Sequence, residues 1–381
     1  MDKNNWTYKK LGEVCKVIMG QSPNGNSVND TNGIEFHQGK VFFGEKYLNV
    51  SNSFTEQPSK IAEPNSVLLC VRAPVGTVNI TPRRICIGRG LCSIQPNDII
   101  IMPFLFYALT QKQAYFDKNS TGSTFKAISS KVVINTVLPI PPLAEQERIV
   151  AELDLLSSII EKKKAQLKEL DQLAQSIFYD MFGDPITNEK GWEVKKLGEV
   201  CLQITDGTHN SPKSFEKGPY KYVTAKNIKK DGFDFSNISF LNEIDHKAIF
   251  SRCSPKYGDV LYIKDGATTG IAMINTLNEE FSLLSSVALL KPKTNLNNRY
   301  LRDVLNNNEM YDVIRSNMGG AAITRLTIKK IEQIKIPLPP LPLQQEFASK
   351  IEAIERQKTL IQQSVDEVQT LFDSRMDYWF G

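Results

Sequence analysis

Histidine is scarce in this chain, with 3 copies in 381 residues, and none of its 6 cysteines forms a CxxC pair. His37, His209 and His246 share no HExxH or mixed Cys/His spacing, so no zinc site is evident. Cys15, Cys70, Cys86, Cys92, Cys201 and Cys253 make no disulfide framework and read as free buried thiols in a reducing compartment. Long hydrophobic runs are missing too. The longest, Ile99 to Leu109, contains Pro103 and falls short of the about 20 residues a membrane span needs. The first residues lead into no apolar signal core, so a cytoplasmic chain with no membrane partner is expected. There is no Walker A loop to cradle phosphates. Gly88-Arg89-Gly90 lacks the third glycine and the following helix of a dinucleotide site. No GxSxG elbow is present. The Pro-Pro pairs lack the preceding Asn or Asp used by base-amino methyltransferases. Asp259, Lys264 and Asp265 come nearest to a paired-carboxylate nuclease centre, and they read better as a turn after a strand. Together these absences argue against a catalytic centre or a cofactor site on this chain.

What is present is ordinary globular composition, 41% hydrophobic and 23% charged, with a formal net charge of +4. The length suits two domains. It also holds an internal repeat. Trp6 to Ile18 returns as Trp192 to Ile204 at an offset of 186, with nine of thirteen positions identical. Leu138-Pro-Ile-Pro-Pro-Leu143 returns as Ile336-Pro-Leu-Pro-Pro-Leu341 at an offset of 198, so the second copy carries 12 more residues between the two echoes. The middles match faintly, as in Val67-Leu68-Leu69 with Val260-Leu261-Tyr262 and Gly76 with Gly270. Strand-like runs such as Ser66–Val71, Val78–Ile80, Tyr220–Thr224, Val260–Ile263 and Ser285–Leu290 alternate with turn residues. Met102–Thr110 and Asn298–Asn306 read as short helices.

After each Pro-Pro-Leu comes a stretch free of proline and glycine, Leu143–Phe182 and Leu343–Phe380. The first places apolar residues at Ile149, Leu153, Leu156, Ile160, Leu167, Leu170, Ala174, Ile177 and Met181, with Lys163 in a polar slot. The second repeats the slots at Phe347, Ile351, Ile354, Ile361, Val365, Val368, Phe372 and Trp379, with Lys358 and Arg375 as polar ones. Sustained heptads read as coiled coil. Phe182-Gly183 and Phe380-Gly381 supply helix ends. By analogy with Trp192 after Phe182, Trp6 is expected near the end of the second helix. The expected fold is α+β: two mixed α/β domains, 1–142 and 184–342, joined by two long antiparallel coiled-coil helices, 143–183 and 343–381, in a pseudo-two-fold repeat.

Charge separates these parts. Residues 1–142 hold 15 basic and 9 acidic residues, and 184–342 hold 22 and 18. The helical segments hold 5 against 8 and 4 against 7, so they are acidic. Basic globular parts suit a polyanion, and acidic rods suit protein contacts.

The order Trp-x-x-Lys-Lys-Leu-Gly-Glu-Val, variable middle, Pro-x-Pro-Pro-Leu, then Gln-rich heptad helix ending at Phe-Gly, occurs twice. It resembles the specificity (S) subunit of type I restriction–modification enzymes. The matching residues are Trp6–Val14 and Trp192–Val200, Ile140–Gln146 and Pro337–Gln344, and the two helix ends. The resemblance covers the whole chain. It implies two target-recognition domains, each reading one half of a bipartite, asymmetric sequence in double-stranded DNA. It implies helices that set the half-site spacing and dock two methyltransferase (M) subunits, with restriction (R) subunits added. S-adenosylmethionine, ATP and Mg would sit on those partners, and this chain would be non-catalytic. Two alternatives stay open: a recognition subunit of a related phage-defence methylation system, and a coiled-coil scaffold with no DNA role.

Candidate DNA contacts are polar or basic residues in loops after strand-like runs. In the first half they are Gln21, Ser22, His37, Gln38, Lys40, Arg72, Arg83, Arg84, Arg89, Ser123 and Lys126. In the second they are Thr208, His209, Asn210, Lys226, Asn227, Lys264, Thr268, Thr269 and Arg325. Arginine suits guanine, and Asn or Gln suits adenine. Surface or capping roles are open for each of them. Gly76 and Gly270 read as turn residues.

Overall fold

The computed structural model describes residues 3–122, 126–316 and 325–381. The chain divides into two compact units, Met1–Ala165 with Gln362–Gly381, and Gln166–Ile361.

In the first unit the sequence echoes pair with each other. Thr7–Lys10 runs antiparallel to Val137–Ile140, with Thr7 opposite Ile140. One helical turn follows, Leu11–Val14, with Leu11 and Val14 buried. The Glu13 carboxylate accepts from the Lys10 N–H at 3.3 Å, which satisfies a donor that the helix start leaves open. The four-stranded core sheet has the order Cys15–Met19, Leu91–Pro96, Ser66–Cys70, Val78–Thr81. Ser66–Cys70 is buried at every position, because successive side chains enter two different cores. Val67, Leu69 and Val71 join a cluster with helix Met102–Thr110 and the long helices. Leu68 and Cys70 face a cluster with Ile85, Ile87 and Leu48. Beyond that lies an outer sheet in the order Val28–Asn29, Phe54–Thr55, Ile34–His37, Ile85–Ile87, Ile61–Ala62.

The second unit repeats this plan. Glu193–Lys196 pairs with Lys335–Leu338, and Glu199 accepts from the Lys196 N–H at 2.7 Å. The core order is Cys201–Asp206, Val287–Pro292, Val260–Ile263, Ala272–Ile274. The outer part is a three-stranded sheet, Ser239–Leu241, Tyr220–Val223, Ser282–Leu283. The strand expected at Ser285–Leu290 begins instead at Val287. Ser285 and Ser286 are drawn into loop hydrogen bonds, Ser285 N–H to Thr208 O at 2.9 Å and Ala225 N–H to Ser286 Oγ at 3.2 Å. The extra length is spread out. The residue offset is 187 from Met19 to Asp206, 193 from Val67 to Val260, 196 from Ile94 to Leu290 and 198 from Ile128 to Leu326. Helix Glu243–Phe250 falls in the first of these gains.

The long helices are Leu143–Phe182 and Leu341–Phe380, 40 residues each. The second begins two residues earlier than the proline-free stretch, because a proline such as Pro342 is tolerated in the first turn of a helix. Their heptad residues are buried or half-buried. Within the first unit their segments run antiparallel: Arg375 pairs with Glu152, and the Arg148 guanidinium lies 5.0 Å from the Trp379 ring. Within the second unit Lys358 meets Asp171 at 2.5 Å, and Phe347 packs on Phe178 and Phe182. Lys358 therefore fills its core slot as half of an ion pair. Trp6 stacks on Trp379 with centroids 5.9 Å apart, as expected, and Trp192 donates from Nε1 to Phe182 O at 2.9 Å. Gly183 caps its helix at φ +75, a conformation in which a side chain is strained.

One device fixes each helix start. Gln146 is fully buried; its amide accepts from Ile101 N–H and donates to Ile99 O and Pro141 O, all at 2.8 to 2.9 Å. Gln344 does the same with Asn297 N–H, Asn295 O and Pro339 O. The third residue after each Pro-Pro-Leu is thus a polar bolt between helix and core loop.

Candidate nucleic-acid interface

Backbone hydrogen bonds gather most first-unit candidates along one edge. Gln21 N–H donates to Ile87 O at 3.0 Å, Gly90 N–H to Gln38 O at 3.1 Å, and Val71 N–H to Gly90 O at 2.9 Å. Ala73 N–H then donates to Lys126 O at 3.0 Å. Gln21, Gln38, Arg72, Arg89 and Lys126 are thereby linked through neighbouring loops, and all are exposed. Lys40, also exposed, opens the short turn Lys40–Phe42 just past Gln38. Glycine is required at Gly90, where a Cβ would stand 2.2 Å from Gln38 O. Gly76 has φ +89 and Gly270 φ +105, so both serve turns.

Ser22 is half-buried beside Gln21. His37 is 1% exposed, and its Nε2 lies 3.0 Å from Glu35 Oε2. Arg83 grips the same carboxylate at 2.5 and 2.7 Å, and also donates to Leu48 O and Asn49 O. Burial pushes the Glu35 carboxyl up, but hydrogen bonds from Arg83, His37 and the Ser51 N–H outweigh it and hold the carboxyl at about 2. Burial lowers His37, against the opposing pull of Glu35. Arg83 is therefore a clamp within the outer sheet. Arg84, 63% exposed, lies 3.4 Å from Glu63. Both arginines precede strand Ile85–Ile87, whereas Arg89 follows it, so they sit at the other end of that strand from the gathered edge. Lys126 lies 2.8 Å from Asp117. Ser123 is outside the described residues.

In the second unit the same end of the sheet collects Thr208, His209, Asn210, Lys226 and Arg325. Thr208 N–H donates to Leu283 O, Leu284 N–H to Val223 O, Lys264 N–H to Ser286 O, and Leu326 N–H to Lys264 O, at 2.8 to 3.0 Å. His209, Asn210, Lys226, Thr268 and Arg325 are exposed, and Thr208 is half-buried. Asn227, 3% exposed, caps a turn through the Thr224 N–H at 3.0 Å. Thr269 is fully buried and donates to Gly266 O at 2.7 Å. Lys264, 1% exposed, lies 3.3 Å from both Asp206 and Asp265. Asp259 stands at the opposite end of strand Val260–Ile263, accepting from Lys256 N–H at 2.7 Å and pairing with Lys291. The three residues resembling a nuclease centre therefore do not assemble. Residues absent from the sequence candidates are Asp206, Arg252 and Glu35. Asp206 is the one with a signal, as an acidic residue closing an otherwise core-bound strand.

Burial pushes the thiols of Cys15, Cys70, Cys92, Cys201 and Cys253 up to about 12, which leaves them unreactive. Among the described residues, no group of three or more His, Cys, Asp or Glu is placed to hold a metal ion, and no helix is long and apolar enough to cross a membrane.

The comparison that decides the family is a match, over residues 3–172 and 189–370, to the model described as type I restriction modification DNA specificity domain. The chain belongs to that family. Its two matched regions coincide with the two repeats. The MjaIX type I restriction enzyme specificity subunit of Methanocaldococcus jannaschii is 26% identical over 92% of this chain and 87% of that protein. A second protein of that organism, described as the MjaX specificity subunit, is 37% identical over 45% of this chain and 41% of its own length. Among solved structures, the type I restriction–modification S subunit of M. genitalium aligns over 100% of this chain and 98% of its own, with TM-score 0.61 and 16% identity. A chain from a structure of complex assembly in the type I R-M system aligns over 99% and 98%, with TM-score 0.62 and 21% identity. These two likenesses show the fold.

Proposed function

We propose that this chain is the DNA-reading subunit of a type I restriction–modification complex, and that its two units each read one half of a bipartite, asymmetric site. The observation that carries this reading is duplication of the loop cluster. In both repeats, the loop after the first strand of the core sheet, the loop after the third strand in that sheet's order and the backbone of Ile128 or Leu326 are tied together by the same backbone hydrogen bonds. The same frame thus offers two sets of loops whose side chains differ, as two readers of different half-sites require. Two readers in one chain also gain from linkage, because the second binding event is intramolecular.

The acidic long helices are the proposed docking rods for two methyltransferase subunits and set the half-site spacing. Restriction subunits join that assembly. S-adenosylmethionine, ATP and Mg belong to those partners, and the proposed role of this chain is non-catalytic and cytoplasmic. The methyltransferase must flip an adenine out of the stack, at a cost of a few kcal/mol. Phosphate contacts from basic modules on both half-sites offset that cost.

The test is a scan for modified adenine in cells that carry this gene with its methyltransferase partner. A bipartite motif that disappears when the gene is deleted is the expected outcome. Unchanged methylation would overturn the proposal.

A further inference from the structure

The second unit holds a buried charge network at a place where the first is apolar. Lys264 continues the inward alternation of Val260 and Tyr262, just as Val71 continues that of Val67 and Leu69. Its ammonium joins Asp206 and Asp265, each at 3.3 Å. Asp206 is 4% exposed and also lies 3.1 Å from His209 Nε2 and 3.4 Å from Arg252. Asp265 lies 3.3 Å from Arg325 Nε, and the backbones of these two residues form an antiparallel bridge. One buried cation therefore carries two carboxylates, and each carboxylate holds an exposed side chain, His209 or Arg325, both 55% exposed.

Resting on the reading proposed above, we propose that Arg325 reads a guanine in the half-site of the second module, with Asp265 and Lys264 as its positioning residues. The Nε side of the guanidinium faces Asp265 Oδ1 at 3.3 Å, an ion-pair contact without hydrogen-bond geometry, and no guanidinium N–H donates a hydrogen bond to the described residues. A planar fork held on one side suits the two acceptors of guanine, O6 and N7, in the major groove. The carboxylate behind the fork offsets its charge, so it gains little from the phosphate field and retains its donors for a neutral base edge. Lys264 in turn screens Asp265 from Asp206, so both carboxylates can stand at the same end of the core sheet. His209 is held in the same way. Its Nε2 lies 3.1 Å from the Asp206 carboxylate.

The experiment uses the full chain assembled with its methyltransferase subunit, and selects bound duplexes from a randomised pool. Arg325→Ala is expected to lose preference at one G·C pair, in one half-site only, by about 10-fold or more. Asp265→Asn is expected to relax the same base pair to a smaller degree while every other position of the site stays specified, which a purely structural role would not do. Arg325→Lys, lacking the fork, is expected not to restore it. If Arg325→Ala weakens binding to all sequences alike and lowers the salt dependence, Arg325 is a phosphate contact and the inference fails while the DNA-reading function stands. If Asp265→Asn leaves that base pair fully specified, the positioning role is overturned. If the unsubstituted complex selects no sequence, the proposed function fails and the inference with it.

Discussion

At the end of core strand Ser66–Cys70 the first module places Val71, 3% exposed; at the matching end of Val260–Ile263 the second places Lys264, 1% exposed. Across the sheet the same contrast recurs, with Met19 opposite Cys92 in one and Asp206 opposite Ala288 in the other. One backbone frame thus accepts an apolar pair or an ion pair at the same site. The first module has its own, half-buried charge cluster, but it lies in the outer sheet, where Arg83 and His37 enclose Glu35. The frame is held by what the two modules share: the paired end strands, the one-turn helix with its glutamate, and the glutamine bolt. The loop side of the sheet is free to exchange chemistry, which is the property a family of sequence readers needs.

The sharpest way to break this comparison is to make the second module resemble the first. Lys264→Val alone leaves Asp206 and Asp265 facing each other without their cation, and is expected to cost the second module about 3–5 kcal/mol. Lys264→Val with Asp206→Met installs the first module's residues and is expected to recover most of that loss, since an apolar replacement of a buried pair is often neutral. Denaturant titration followed by hydrogen exchange in strand Val260–Ile263 measures both. A double variant as unstable as the single one would show that the two frames are not equivalent. Next in size is the glutamine bolt. Gln146→Ala and Gln344→Ala each orphan one buried N–H and two carbonyls, and each is expected to cost about 2–3 kcal/mol. Equal costs in the two modules sharpen the equivalence, and clearly unequal ones break it.

Much of the frame was legible from the sequence because it is written twice. The heptad slots and the Phe-Gly ends locate the long helices, and the helices Met102–Thr110 and Asn298–Asn306 stand as expected; the echoes mark the repeat, but their pairing as end strands was not read from them. The glutamine bolt was not legible as such, since Gln146 and Gln344 look like ordinary polar residues at the start of an amphipathic helix. At the candidate interface, the difficulty was distance along the chain. Arg83 finds Glu35 across 48 residues, and Lys264 finds Asp206 across 58, so nothing local marks these side chains as engaged. Lys264 did carry a usable signal. It occupies an inward slot of a strand whose other inward residues are apolar, and a lysine there requires a buried partner. His37 ends the short strand Ile34–His37 and is buried, but no periodicity in four residues could show it.

Two smaller effects concern the neighbouring arginines of the first module, Arg83 in the clamp and Arg84 beside it. Arg83→Ala removes charge-assisted hydrogen bonds to Glu35 and two carbonyls, and is expected to destabilise the first module by about 2 kcal/mol. Arg84→Ala breaks only an exposed pair and should cost under about 0.5 kcal/mol. A loss of DNA binding in an Arg83→Ala, Arg84→Ala double variant would therefore have to be separated from loss of folding, by denaturant titration of the Arg83 single variant.

The same clamp also responds to pH. Glu35 titrates at about 2 in the folded chain against an ordinary 4.5. Its stabilising contribution is complete above pH 4.5 and is lost as pH falls towards 2. His37 is also lowered, from an ordinary 6.5. The fold prefers its neutral form, so that contribution is complete above pH 6.5 and declines as pH falls below it. Both groups therefore weaken the first module on acidification, in two successive windows. Opening free energies of strand Ile34–His37, followed by hydrogen exchange, should fall between pH 7 and 5, because His37 is held below its ordinary value by burial. His37→Gln should flatten that upper window and leave the lower one, because glutamine can still donate to Glu35. If the slope between pH 7 and 5 survives His37→Gln, the titrating group lies elsewhere in the module.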